Sequence, residues 1–424
     1  MQIALHSPAK KALFLIPCLL LATAYFFLAT TQFFAGYFSH KMDLASLQTA
    51  AKLQPTNADF QYQLGRYRLL ARQDPAMAIK FFQSAVTLNP HRANYWLDLS
   101  KAYLLLGNNP MQKDALERAI AADPTTPDVA WEAAQLHWVQ GENDQALKEF
   151  RVVLENDPSS PALALESCWR IRPDADALLQ NVIPRNAAVY SVLLTFLTSE
   201  KETTAAAKVW EQMAQLGQPV EKRYVLHYVR YLIDQHKTEQ ARLVWRQAST
   251  LSGLSQYQPS PQNLVVNGDF SRPVLNGGFD WLYQQKSPDV MLALDPDERH
   301  TGQRSLSITF DSPGIEDAGI RQLIPVEPGT RYEFSAYFKA EHIEGAGGPR
   351  FLVQDHFSGA TYYASDTLKG TNTWKAVAGT FQTGPETDLL ELRVRREPPG
   401  NAIRGKLWIA DVRLVQEASK RLLR

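Results

Sequence analysis

Cysteine is nearly absent. The 424 residues hold two, Cys18 and Cys168. Cys18 lies inside an apolar run, so no disulfide framework is expected, and cysteine usage does not fix the compartment. Net charge is absent as well, since 44 Lys and Arg offset 44 Asp and Glu. A chain without a basic excess has no electrostatic case for nucleic acid, and no such partner is expected. Catalytic signatures are missing too: there is no H-E-x-x-H, G-x-S-x-G, P-loop, G-x-G-x-x-G or C-x-x-C. The nine histidines are scattered, and none pairs at metal-ligand spacing. Beyond the N-terminus, no long apolar run occurs.

What remains is a folding composition, 45% hydrophobic and 21% charged. The length calls for two or more domains. Near the start, Lys10-Lys11 precede "ALFLIPCLLLATAYFFLATTQFFAGYFS", Ala12 to Ser39, which has no charged residue. About 20 helical residues cross a hydrocarbon core. A cleaved signal peptide is the competing reading, but the run continues through Phe33, Phe34, Tyr37 and Phe38 without a clear A-x-A site. We therefore read 12–39 as an uncleaved transmembrane anchor, with Pro17 in its first turns. Residues 1–11 are then cytoplasmic under the positive-inside rule, and the bulk of the chain is periplasmic or otherwise extracytoplasmic.

The next region repeats. Pro90, Pro124 and Pro158 stand 34 residues apart. Ala78, Phe82 and Ala85 precede the first, Leu116 and Ala119 the second, and Ala146, Phe150 and Val153 the third. Gln112 stands where a small residue is usual. Gly107 and Gly141 mark turns. Such a period means helical hairpins stacked in an array. This pattern resembles the tetratricopeptide repeat. It weakens over 160–185, where Pro161, Pro173 and Pro184 intervene, then resumes with Ala206, Trp210 and Met213 and again with Ala241, Trp245 and Ala248. We read 42–253 as an α-solenoid of roughly five to six hairpins. Trp96, Trp131, Trp210, Trp245 and His137 are expected to pack rather than bind. The resemblance implies a surface that takes a protein or peptide partner.

"LSGLSQYQPSPQ" then changes the alphabet, with 254–262 expected as a linker. Beyond it, period-2 patterns dominate in "SLSITF", "RYEFSAYFKAE", "LLELRVRRE" and "KLWIADVRLV". "NLVVNGDF", Asn263 to Phe270, begins as a strand. About 155 residues with eight or more strands suggest an antiparallel sandwich. In order, "NLVVNGDF", "HTGQRSLSI", "VEPGTRYEFSAYFKA", "TWKAVAGTF" and "LWIADVRLV" resemble the jelly-roll carbohydrate-binding modules of the family 4/9 (CenC-like) type. The expected fold is therefore multidomain: an N-terminal transmembrane helix, an all-α tetratricopeptide solenoid, an all-β jelly-roll sandwich over 263–417, and a basic tail, 418–424.

That resemblance implies a structural calcium ion, for which Asp269 and Asp411 are the candidate ligands. Ser271 stands where relatives often carry an acidic residue. It also implies a sugar-binding face. Strand alternation nominates Tyr337, Gln354, His356, Glu391, Arg393 and Arg395 for one concave face, and the two arginines suit carboxylates or hydroxyls. No catalytic residue is nominated. The two carboxylate pairings that could serve a glycoside hydrolase are Glu391 with Glu333 and Glu391 with Asp355. The leading expectation is a membrane-anchored, non-catalytic protein that binds a protein through its solenoid and a polysaccharide through its sandwich, suited to cell-surface or exopolysaccharide assembly or export. The alternatives are an envelope scaffold with no sugar ligand and, third, a hydrolase of glycosidic bonds.

Overall fold

The computed structural model describes residues 8–41, 43–159, 161–284, 288–311, 316–397 and 402–417. Residues 1–7 of the expected cytoplasmic segment 1–11, Met42 at the start of the solenoid and the basic tail 418–424 lie outside the described residues. The chain divides into two compact units, Met1–Arg185 and Asn186–Arg424.

In the first unit, helix α1 (Pro8–Ser39) contains Leu15–Ser39, with mean hydropathy 1.6. Among the described residues it is the one helix long and apolar enough to cross a membrane, a property a signal sequence would share. The helix begins nine residues before Pro17, so that proline sits in its interior rather than its first turns. At its far end, Ala35 is buried against Leu47, Ala50 and Phe60. Those residues belong to α2 (Leu44–Leu53), which Asp43 caps by accepting from Ser46 N at 2.9 Å, and α3 (Ala58–Arg66).

Helical hairpins follow: α3 with α4 (Pro75–Leu88), α5 (Ala93–Leu105) with α6 (Asn109–Ala122), α7 (Pro127–Val139) with α8 (Asn143–Asn156), and α9 (Ala162–Ile171) with the short α10 (Ala175–Asn181). The periodic residues explain the packing. Phe82 is fully buried, and a Cβ at Gly65 would meet its ring at 2.5 Å, so the small residue sets the approach of α3 to α4. Asn89, Asp123 and Asp157 end α4, α6 and α8 in non-helical backbone, as a residue before proline must. Gln112, standing where a small residue was expected, is fully buried and satisfied: its amide donates to Ser100 Oγ at 3.1 Å and Gln140 donates to it. His137 is buried with Nδ1 on Glu142 at 2.7 Å, a structural role.

The second unit contains two more hairpins, α11 (Ala187–Ser199) with α12 (Thr203–Leu216) and α13 (Lys222–Asp234) with α14 (Thr238–Leu251), and the sandwich. Residues 254–262, expected as a linker, form a packed strap. Trp245 Nε1 donates to Tyr257 O at 2.9 Å, Gln258 Nε2 to Trp245 O at 3.0 Å, and Tyr257 Oη to Pro273 O at 2.9 Å.

The ten strands are β1 (Trp281–Tyr283), β2 (Val290–Asp295), β3 (Ser305–Asp311), β4 (Asp317–Pro325), β5 (Arg331–Glu344), β6 (Gly348–Asp355), β7 (Thr361–Ala364), β8 (Gly370–Gln382), β9 (Leu389–Glu397) and β10 (Arg404–Gln416). One sheet runs β1-β4-β9-β6-β7 and the other β2-β3-β10-β5-β8, with antiparallel pairing throughout the described ladders. The period-2 residues fill the core between them: Leu306, Ile308 and Phe310; Tyr332, Phe334 and Ala336; Leu390, Leu392 and Val394.

The opening segment departs from expectation. Val265 and Val266 are both buried, so nothing alternates, and Asn267 turns at φ 51. Side chains replace much of the ladder here. Asn263 Nδ2 donates to Val412 O and its Oδ1 accepts from Leu414 N, each at 3.1 Å. Fully buried Gln322 accepts from Val266 N at 3.0 Å and donates to Val266 O at 2.7 Å.

Candidate functional site

The pleat decides which side chains leave the core. On β9, Leu390, Leu392 and Val394 point inward, so Glu391, Arg393 and Arg395 point to the opposite face. Register sets Arg321 of β4 opposite Arg393, and Gln354 of β6 opposite Glu391. His356 follows β6 and reaches back to the same carboxylate. Five of the six nominated sugar-face residues therefore lie on or beside one sheet.

Tyr337 does not. It lies on β5 in the other sheet, opposite Ala410 and Ala376, with the His300 ring stacked on it at 3.8 Å. The expectation that it joins the same face is corrected. Alternation within each strand says which residues face outward, but not which of two sheets holds the strand.

The outward face of the first sheet is unusually buried for a solvated surface. Glu391 is 6% exposed, Leu323 6% and Leu352 3%. Its centre is a charged lattice. Glu391 Oε1 accepts from Arg393 at 3.0 Å, and Oε2 lies 3.1 Å from His356 Nδ1 and 3.4 Å from Arg321 Nη1. Arg393 also donates to Asp317 at 2.7 Å, and Arg395 pairs with Glu316. Burial alone would raise the Glu391 value. The His356 hydrogen bond and the charges of Arg321 and Arg393 outweigh it and hold the carboxyl below its ordinary range.

Above this lattice lies a cleft of about 630 Å³, the size of a small-ligand site. One wall is β1 and β4, with Tyr283 and Arg321, and His356 beside them. The other is α13, with His227 and Arg230. Sequence reading missed Arg321 and all of the α13 wall. Arg321 was legible in principle, since Ile320, Gln322 and Ile324 alternate with it along β4. The α13 wall had no comparable signal.

The carboxylate pairings raised for hydrolysis do not converge. Glu333 is on β5, in the other sheet. Asp355 lies opposite core-facing Leu390 and caps a turn, accepting from Phe357 N at 2.9 Å and Ser358 N at 2.6 Å.

Asp269 and Asp411 do share a pocket, around Thr301 and Gly302. Both Asp411 oxygens accept from Thr301 Oγ1 at 2.6 Å, and Oδ2 also meets His300 Nδ1 at 2.6 Å. Asp269 Oδ1 accepts from Ser271 N and Oγ at 3.2 and 3.0 Å. Calcium wants six to eight oxygens. Among the described residues no group of three or more His, Cys, Asp or Glu is placed to hold a metal ion. Asp411 is engaged by Thr301 and His300 and Asp269 by Ser271, so a cation at this pocket would compete with those protein donors.

In the first unit, a groove of about 320 Å³ runs across α3, α5 and α7, lined by Tyr62, Arg66, Asp98, Lys101, Trp131 and Glu132 among others. Here Trp131 lines a groove as well as packing edge-on against Phe150 at 5.3 Å.

Comparison with known families agrees with this division. Residues 262–400 match the model of a carbohydrate binding domain, of the 4/9 kind, and residues 93–126 and 113–161 match tetratricopeptide repeat models. The chain thus carries tetratricopeptide repeat matches in its helical part and, C-terminal to them, a carbohydrate binding domain match of the 4/9 type. Solved structures similar to parts of the chain include one described as "CBM4 structure and function", 20% identical, covering 36% of this chain and 99% of that one, with a TM-score of 0.28. MamA is 18% identical, with 43% and 89% covered and a TM-score of 0.25. PilF of Pseudomonas aeruginosa is 17% identical, with 45% and 90% covered and a TM-score of 0.23. No curated protein matches the chain.

Proposed function

We propose that this is a membrane-anchored, non-catalytic adaptor of the cell envelope. In this reading α1 is the anchor and the rest of the chain is periplasmic or otherwise extracytoplasmic. The groove across α3, α5 and α7 takes a protein or peptide partner. The sandwich takes a carbohydrate, and the whole serves assembly or export of a surface polysaccharide.

The observation that carries the reading is the first sheet's outward face, where planar hydrogen-bonding groups are fixed beneath a cleft on a domain of carbohydrate-binding type. Sugars present vicinal hydroxyls that such groups pair with, and a rigid lattice avoids the entropy cost of ordering them on binding. The same lattice supports a binding rather than a hydrolytic role. Glu391 is held ionised, the reverse of a general acid, which needs its value raised.

The test is a glycan array probed with the full chain in detergent, read beside an Arg393→Ala variant. Binding that the variant loses supports the adaptor. An array with no binding, from protein shown to be folded, would favour the scaffold reading, in which the contact between sandwich and α13 is purely structural.

A further inference from the structure

The cleft joins two segments that the sequence alphabet assigns to different domains. We propose that it is a composite site for acidic saccharides, in which Arg230 on α13 and Arg321 on β4 grip one carboxylate-bearing chain from opposite walls. This rests on the carbohydrate reading above and adds both the ligand class and the second wall.

The argument is about which charges face the solvent. The deep carboxylates are already answered from within. Asp317 and Glu391 share Arg393, and Glu391 also meets His356 and Arg321; their side chains are 13% and 8% exposed. The arginines at the cleft surface are far less committed. Arg321 is 47% exposed and meets Glu391 through one nitrogen at 3.4 Å. Arg230 is 84% exposed, with Asp234 4.0 Å away on the next helical turn. Asp234 is the one well-exposed carboxylate among the cleft's described lining residues. Two open guanidiniums therefore stand against one open carboxylate, with His227 and His356 alongside.

Guanidinium is weakly hydrated, planar and forked, so it matches a carboxylate by two parallel bonds. A neutral sugar would leave that fork underused. An acidic one would complete a charge pattern whose negative half is buried below. Half-buried Tyr283 and apolar Leu282 offer a surface for the ring's C–H face.

The experiment measures binding of full chain in detergent to alginate and polygalacturonate, and to the same polymers after carboxyl reduction. The expected result is binding to one or both acidic polymers, at least about tenfold weaker after reduction. Arg230→Ala and Arg321→Ala should each weaken it by about tenfold, which is what one charge-assisted bond is worth. Arg331→Ala, on another surface, should leave it unchanged, and circular dichroism should match wild type throughout. Equal binding of reduced polymers would overturn the ligand class. Loss with Arg321→Ala but not Arg230→Ala would overturn the second wall. Both outcomes leave the carbohydrate reading standing. If no polymer, acidic or neutral, binds, that reading and this inference fall together.

Discussion

Trp245 of α14 and Gly278, in the loop before β1, touch so closely that a Cβ on Gly278 would lie 2.0 Å from the indole. The glycine also sits at φ 63, where a side chain is strained. The indole is 1% exposed, edge-on to Phe279 at 5.8 Å. This is the joint between the last helical hairpin and the sandwich. Trp245→Ala should cost about 3–5 kcal/mol, as large-to-small changes at buried aromatics do. Gly278→Ala should destabilise as well, although it adds only a methyl group. Thermal unfolding measures both, and limited proteolysis should show faster cutting within 252–262. If Gly278→Ala matched wild type in both assays, the contact would be incidental.

Glu391→Gln should lower stability by roughly 3 kcal/mol at neutral pH, since it removes one partner of a buried ionic lattice. The sign with pH follows from the carboxyl's lowered folded value. The unfolded chain binds the proton more readily, so the stabilisation is full above the ordinary value of 4.5 and is lost as pH falls below it. The gap between wild type and variant should therefore close in acid. Urea titrations across that range would show it, and a gap constant with pH would sink the assignment.

Asp280 should behave in the opposite way. It is fully buried, and burial pushes its carboxyl up to about 6 against the backbone N–H groups of Leu275 and Trp281, which pull it down. The folded state keeps a proton that the unfolded state releases, so stability falls as pH rises from the ordinary 3.8 towards 6. The fall should be about 3 kcal/mol, at about 1.4 kcal/mol per pH unit. Asp280→Asn should flatten this window and match or exceed wild type at neutral pH. Equal destabilisation at every pH would mean instead that the carboxylate is a needed acceptor for Leu275 N, at 2.7 Å.

Calcium and EDTA should leave the melting temperature within about 1 °C of each other, because ligand linkage needs a site and the oxygens of Asp411 are already bonded. A calcium-dependent rise of several degrees, lost in Asp411→Asn, would restore the metal.

Architecture was largely legible in the sequence because it rests on periodicity. The spacing of Pro90, Pro124 and Pro158 gives three hairpins, and the alternation through Phe334 and Leu392 gives two core-facing strands. These signals are local, and each residue carries its own burial preference. The failures share one cause, the need for long-range information. Tyr337 was grouped with Glu391 because both point outward, yet β5 and β9 belong to different sheets. Val265 and Val266 look like a strand but are held by the side chains of Asn263 and Gln322, whose reach across sequence no local pattern records. Arg230 reads as one more polar position on an amphipathic helix, and only the fold brings it to the cleft.

That α13 forms the second wall of the cleft over the first sheet has a practical corollary. A fragment cut where helical sequence gives way to strands, near residue 262, would carry off one jaw of a two-jawed vice. It would also remove the Trp245 indole that packs on Gly278 and Phe279. Weak or absent sugar binding by such a fragment would then report on the cut and not on the protein.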